Sequence, residues 1–66
     1  MKIYAFVECE LQKFRDECNF TDDELEYFNL KAKNKSNVQI ARSMNISEPQ
    51  VSKLAKRVNT KILKVI

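Results

Sequence analysis

The sequence predicts an all-α protein, a small bundle of four helices. Its apolar residues recur at spacings of three and four over most of the chain, which is the period of an amphipathic helix. The pattern of Ser or Thr followed three residues later by Glu or Gln, which caps the start of a helix, occurs three times. Because 66 residues leave room for a single hydrophobic core, we expect one domain over residues 1–66.

The first helix is predicted over about residues 3–18, where one apolar stripe consists of Ile3, Phe6, Val7, Leu11, Phe14 and Cys18. Asn19 then interrupts the pattern. The only two cysteines, Cys9 and Cys18, would lie roughly 13 Å apart on such a helix and could not form a disulfide with each other. We expect reduced thiols that act as small apolar fillers in an intracellular protein.

A second helix is predicted over about residues 22–33. Thr21 and Glu24 have the spacing of its capping box. The acidic residues that follow Thr21 face the positive end of the helix dipole, so we interpret them as capping groups rather than as metal ligands. Asn34 can adopt the left-handed conformation that ends the helix. The residues expected to be buried are Leu25, Phe28 and Ala32.

Two further capping boxes predict helices over about residues 37–44 and 48–63. Ser36 and Gln39 begin the shorter helix, and Ser47 and Gln50 begin the longer one. Asn45, between them, is a second candidate for the left-handed conformation. The expected apolar faces comprise Val38, Ile40, Ala41 and Met44 in the shorter helix and Val51, Leu54, Val58 and Ile62 in the longer one.

Charge is divided unevenly along the chain. Residues 1–30 carry three basic and eight acidic side chains, a balance of −5, whereas residues 31–66 carry nine basic and one acidic, a balance of +8. This asymmetry suggests that the second half contacts a polyanion and that the first half stays away from it. An ordinary solvated basic surface is the alternative interpretation.

The composition argues against several functions. The absence of His and Gly excludes His-based catalytic triads, His-containing zinc sites and glycine-rich phosphate loops. A Ser with a Lys base remains formally available, but so small a bundle offers no concave pocket for it, so we expect no enzyme, metal or cofactor. Since no stretch approaches the ~20 apolar residues of a membrane span, and the N-terminal apolar stretch is too short for a secretory signal, we expect a cytoplasmic protein.

The connection between the third and fourth helices carries the functional hypothesis. Two helices joined by so short a turn are typical of a helix-turn-helix, whose second helix enters the major groove of DNA, although a helical hairpin in any small bundle has the same spacing. Polar side chains on that second helix can read base edges, and cations and amides on the first typically bind phosphates. We expect base contacts from Glu48, Gln50, Ser52, Lys53 and Lys56, and contacts with the DNA backbone from Lys35, Ser36, Asn37, Arg42 and Arg57.

A longer stretch strengthens this hypothesis by resemblance. Residues 20–51, FTDDELEYFNLKAKNKSNVQIARSMNISEPQV, resemble without a gap the DNA-binding domain shared by LuxR-type regulators and region 4 of bacterial sigma factors. The pattern is an apolar residue and Thr before an acidic helix start, then Ser-Asn, Ile-Ala, an apolar residue, and Ile-Ser before a Val. It covers about half of the chain. The continuation VSKLAKRVNTKIL is closer to the sigma type, because Leu54 stands where LuxR members usually have a polar residue.

The resemblance also implies roles for particular residues. Ser52, Lys53 and Lys56 fall at positions where family members touch bases or phosphates, and Glu48 falls at one that sigma factors use. Pro49 departs from the pattern, since it fills a position of contact in sigma factors. The other departures are asparagines where glycine is usual, Asn34 and Asn45.

These features predict a stand-alone, sequence-specific DNA-binding transcriptional regulator of bacterial or phage origin, with double-stranded DNA as its partner. The alternative is a sigma-region-4 mimic that binds RNA polymerase or an anti-sigma protein through helix one and the acidic face of helix two. A purely structural bundle is a third interpretation. In the LuxR type the last helix often pairs two subunits, and surplus apolar residues here suggest a homodimer through Ile62, Leu63, Val65 and Ile66.

Overall fold

The computed structural model describes residues 3–66. Over this range all regular secondary structure is helical: a short 3-10 turn, Ile3–Ala5, is followed by α1 (Glu8–Glu17), α2 (Asp22–Ala32), α3 (Asn37–Met44) and α4 (Glu48–Val65). The prediction of a small all-α bundle of four helices is confirmed. None of these helices is both long enough and apolar enough to cross a membrane.

The first helix is shorter than predicted. A continuous helix from about residue 3 was expected, but Val7 is extended, with φ −75° and ψ 163°, and α1 begins only at Glu8. The carboxylate of Glu10 accepts a 3.1 Å hydrogen bond from the Val7 amide, which caps the helix there. The prediction is therefore wrong before Glu8. The 3-10 turn packs against α2 and buries Ile3, while Val7 is exposed.

Each of the first three helices is followed by an asparagine with positive φ: 53° at Asn19, 60° at Asn34 and 57° at Asn45. After α3, the Ile46 amide donates to the Ala41 carbonyl at 3.0 Å and the Asn45 amide donates to the Arg42 carbonyl at 3.3 Å. This is a Schellman motif, which satisfies carbonyls that the helix end leaves unpaired. Asparagine tolerates this conformation better than most residues, so a chain without glycine can make these turns. The predictions for Asn34 and Asn45 are confirmed.

The core is centred on α4, which contacts α1, α2 and α3. Its four predicted core residues are all buried: Val51, Leu54, Val58 and Ile62. Aromatic rings from the first half complete the core. Phe14 meets Phe6 and Phe28 edge-on, at centroid distances of 5.0 and 6.3 Å, and Phe20 lies 5.1 Å from Phe28. Such edge-to-face pairs add about 0.5–1.5 kcal/mol each beyond the area they bury.

The orientation of α2 differs from the prediction. Phe28 is buried as expected, but Leu25 and Ala32 are only partly buried. Tyr27 and Glu24 share the core side of α2 with Phe28 instead. Burial raises the pKa of the Tyr27 hydroxyl above its ordinary value. With Glu24, a charged residue occupies a core position at which hydrophobic periodicity predicts an apolar one.

The buried Glu24 forms an ion pair that joins α2 to α4. Glu24 is 3% exposed, and its carboxylate accepts hydrogen bonds from Lys61 Nζ and, at 3.0 Å, from the Thr21 amide. Lys61 Nζ also donates to the carbonyl of Asn19 at 3.2 Å. Burial alone would raise the pKa of Glu24, but the hydrogen bonds from Lys61 and Thr21 together outweigh it, so the pKa lies below the ordinary 4.5. The predicted Thr21–Glu24 capping box is confirmed.

The two cysteines lie in different environments. Cys18 is buried, as expected of an apolar filler, whereas Cys9 is exposed on α1, contrary to the prediction. Burial is the largest cause that raises the pKa of the Cys18 thiol, and the nearby Glu17 carboxylate adds to it. Because the thiolate is the reactive form, Cys18 is protected both by position and by protonation.

We therefore predict two phases of thiol modification. In the native protein Ellman's reagent modifies Cys9 rapidly and Cys18 only at the rate of unfolding. The Cys9→Ser variant loses the fast phase and keeps the slow one. Fast modification of both cysteines in the native wild type would contradict the buried position of Cys18.

Candidate nucleic-acid interface

The surface predicted to bind DNA is built on α3, α4 and the connection between them, residues 45–47. The Schellman motif ends α3, and Ser47, with φ −81° and ψ 159°, begins α4 directly. The side-chain oxygen of Gln50 accepts a 3.0 Å hydrogen bond from the Ser47 amide, and Ile46 packs against the core. Pro49 lies in the first turn, where amides have no partner within the helix. Local hydrogen bonds and one apolar contact thus hold both ends of the connection.

All five side chains predicted to contact bases are exposed: Glu48, Gln50, Ser52, Lys53 and Lys56. Gln50 differs from the others, because its oxygen already accepts the capping hydrogen bond of α4. Two-point recognition of adenine by glutamine needs both the oxygen and the NH₂ group. The Gln50 oxygen accepts from the Ser47 hydroxyl as well, at 3.4 Å, so both of its lone pairs are engaged and only the NH₂ group is available to a ligand while the cap is intact.

The residues predicted to contact the DNA backbone from α3 are also exposed: Lys35, Ser36, Asn37 and Arg42. Ser36 caps α3, since its hydroxyl oxygen accepts from the Gln39 amide at 3.2 Å and its own amide donates to the Gln39 side chain at 2.9 Å. The hydroxyl proton of Ser36 is not used by this cap. The start of α3 therefore combines a hydroxyl donor with the neighbouring cation of Lys35.

Most of the basic side chains in the second half face solvent without a carboxylate partner. Within residues 3–66, Lys61 is the one member of this group of nine that forms a salt bridge. Its partner is the buried Glu24, so the number of unpaired positive charges on this surface is one lower than the number of basic residues in the sequence. Of the other eight, seven are exposed and Lys31 is partly buried.

The exposed face of α4 extends beyond the predicted residues. At about 100° per residue, Lys53, Lys56, Thr60 and Lys64 fall within roughly 80° of one another around the helix. All four are exposed, and the hydroxyl of Thr60 donates to the Lys56 carbonyl at 2.8 Å. Thr60 and Lys64 were missed by the sequence analysis, although their spacing of four from Lys56 is the signal that identifies them.

A shallow cleft between α2 and α4 was also not expected. Asp23 and Glu26 of α2 line one side of it, and Gln50, Lys53 and Arg57 of α4 line the other. No salt bridge of 4.0 Å or less joins the two sides within residues 3–66. The apolar residues that line the cleft are Met44, Ile46 and Leu54.

This cleft changes the interpretation of the charge asymmetry. The sequence suggested that the acidic half stays away from any polyanion bound by the basic half. Asp23 and Glu26 instead lie beside two of the cations predicted to contact it, Lys53 and Arg57. Elsewhere, no group of three or more His, Cys, Asp or Glu side chains within residues 3–66 is arranged to hold a metal ion.

No protein-family model matches the chain, and the comparisons with curated proteins and with solved structures found no match either. The resemblance of residues 20–51 to the LuxR-type and sigma region 4 domains therefore depends on the sequence pattern alone. It stays a prediction.

Proposed function

We propose that α3, residues 45–47 and α4 form a helix-turn-helix, and that the protein is a sequence-specific DNA-binding regulator of transcription. The observation that carries this proposal is the exposed surface of α4, where Ser52, Lys53 and Lys56 face solvent and neither lysine has a carboxylate partner within residues 3–66. Hydrogen-bond donors on a solvent-facing helix that follows a short turn suit the major groove of DNA.

The position of α3 supports the same proposal. α3 packs against α4, with Arg42 in its last turn next to the connection and with Lys35 and the capping Ser36 at its opposite end. In helix-turn-helix domains the first helix crosses the DNA backbone while the second enters the groove. We assign phosphate contacts to Lys35, Ser36, Asn37 and Arg42, and base contacts to the first turns of α4.

A titration of a fluorescein-labelled, random-sequence DNA duplex, followed by anisotropy at low and near-physiological salt, tests the function. Binding that weakens steeply with salt supports the proposal, because cations on the protein displace counterions from the phosphates. The absence of binding at low salt would contradict it. That outcome would favour the second candidate, a protein-directed mimic that binds RNA polymerase or an anti-sigma protein through the exposed acidic residues of α2.

The two groups of residues are expected to respond differently to substitution. On a duplex selected by the protein, changing Ser52 or Lys53 to Ala costs about 1–3 kcal/mol and relaxes the sequence preference at one position. Changing Lys35 or Arg42 to Ala weakens selected and random duplexes by the same factor, because phosphates carry no sequence information. Equal losses on both duplexes for all four variants would refute the assignment of roles.

A homodimer through the end of α4 forms part of the proposal. Two of the four residues predicted to pair belong to the core instead, since Ile62 is buried and Val65 packs against the core, whereas Leu63 and Ile66 are 64% and 74% exposed. Apolar side chains left exposed in this way favour a self-complementary contact. We expect a dimer mass in sedimentation equilibrium at micromolar concentration and a monomer mass for Leu63→Gln with Ile66→Gln. The control Val38→Gln, at a site that is 44% exposed on α3, should leave the mass unchanged; a monomeric wild type would contradict the dimer.

A further inference from the structure

Capping explains only part of the acidic cluster in α2. Asp22, Asp23 and Glu24 lie in the first turn, where negative charge stabilises the helix through its dipole. Glu26 lies beyond that turn, and the dipole effect does not extend so far. It follows Asp23 by three residues, so both carboxylates lie on the same side of α2. That side faces the cleft beside α4.

The two carboxylates act on the cations across the cleft without pairing with them. Lys53 and Arg57 line the opposite side, and no salt bridge of 4.0 Å or less forms between the two sides within residues 3–66. Charges separated by the width of such a cleft still interact, because screening becomes strong only beyond about 10 Å at 0.1 M salt. A phosphate that approaches Lys53 therefore meets two negative charges at short range.

A base edge meets no such repulsion. The acceptors that the major groove presents to lysine and arginine, such as the oxygen and nitrogen of guanine, belong to uncharged groups. Carboxylates beside Lys53 thus penalise contact with a phosphate much more than contact with a base. Penalising the wrong ligand in this way is a general means of gaining specificity.

We infer that Asp23 and Glu26 repel the DNA backbone from the cations across the cleft, Lys53 and Arg57. These cations then contact base edges in preference to phosphates. This inference rests on the proposed function and refines it. Arg57 was expected from the sequence to bind the backbone. It lines both this cleft, beside Lys53, and the neighbouring hollow of Lys56, Thr60 and Lys64, so the two carboxylates act on it from one side. Phosphate contacts on α4 then fall to the exposed residues that do not line the cleft, Lys56, Thr60 and Lys64.

The test compares two double variants of equal charge on a random-sequence duplex at low salt. Asp23→Asn with Glu26→Gln is expected to raise the affinity about fivefold, because it removes the repulsion between two carboxylates and the DNA phosphates at close range. The control, Glu10→Gln with Asp16→Asn, removes the same charge from exposed positions on α1 and should change the affinity less than about twofold. Equal effects of the two double variants would overturn the inference, since net charge alone would then explain them. Circular dichroism confirms that each variant is folded.

A second experiment introduces Lys53→Ala into the wild type and into the Asp23→Asn, Glu26→Gln variant. With the carboxylates in place, Lys53 contributes little to binding of random DNA, whereas in the Asp23→Asn, Glu26→Gln background its loss lowers the salt dependence by about one phosphate contact. The same loss in both backgrounds would overturn the inference while leaving the proposed function intact. If neither the wild type nor the double variant binds the duplex at any salt concentration, the proposed function itself fails.

Discussion

Replacing Glu24 by Ala is expected to destabilise the protein by about 3 kcal/mol, a large part of the total stability of a domain this small. The substitution removes the acceptor that caps α2 and leaves Lys61 Nζ partly buried without a carboxylate. Lys61 is 31% exposed, so water solvates part of its charge when Glu24 is absent. The expected loss of stability is therefore at the lower end of the range for breaking a buried ion pair. Urea denaturation followed by circular dichroism measures the change.

A milder variant separates the ion pair from the cap. Gln39 and Gln50 already cap α3 and α4 through their side-chain oxygens, so Glu24→Gln keeps the cap and removes only the charge. We expect this variant to lose about 1–2 kcal/mol. Glu10→Gln is the matched control, because Glu10 caps α1 from an exposed position and has no lysine partner within residues 3–66. It should lose less than about 0.5 kcal/mol. Equal losses for the two glutamine variants would contradict a stabilising role for the ion pair.

The same pair makes stability depend on pH. The pKa of Glu24 is lower in the folded protein than its ordinary value of 4.5, so the folded state favours the ionised carboxylate. Its contribution to the free energy of unfolding is complete above about pH 4.5 and is lost as the pH falls through the lower pKa of the folded state. Between neutral pH and this acidic range, the wild type should therefore lose more stability than Glu24→Gln. Parallel losses would contradict the lowered pKa.

Features encoded by neighbouring residues were predictable from the sequence. The boxes that begin α2, α3 and α4, and the asparagines that end α2 and α3, depend on groups three to five residues apart, so their residue types identify them. The start of α1 was missed, although its signal is equally local. Val7 offers no side-chain oxygen, and the glutamate that caps its amide is recognisable only when Ser or Thr marks the position.

Contacts between distant segments were not predictable in the same way. Glu24 and Lys61 are 37 residues apart, and periodicity gives no reason to bury a glutamate. The cleft that places Glu26 opposite Lys53 likewise depends on how α2 packs against α4. Exposure of the predicted base-contacting residues could be anticipated, because the apolar stripe of α4 determines which residues face outward. Their electrostatic surroundings depend on a second helix, which the stripe does not describe.

The second large effect concerns DNA binding by α4. Changing Lys53 and Lys56 together to Ala removes two exposed cations from the proposed DNA face while leaving the buried stripe of α4 intact. We expect the affinity for a random duplex to fall about tenfold or more at low salt. The slope of log affinity against log salt should fall by about 1, since Lys56 makes a phosphate contact while Asp23 and Glu26 keep phosphates away from Lys53.

A matched double variant controls for net charge. Lys13 and Lys33 are exposed, Lys13 next to Glu17 on α1 and Lys33 at the end of α2, in the hollow between α1 and α2. Changing both to Ala removes the same two charges from α1 and from the end of α2, outside the residues assigned to DNA contacts. We expect less than about a threefold change in affinity, because screening limits the effect of distant charges.

The anisotropy titration of these three proteins, the wild type and the two double variants, on one random-sequence duplex tests the central claim most directly. A loss of affinity and of salt dependence confined to the Lys53→Ala, Lys56→Ala protein is the result that a DNA-binding face on α4 predicts. Equal losses in both double variants, or unchanged binding when Lys53 and Lys56 are replaced, would contradict it.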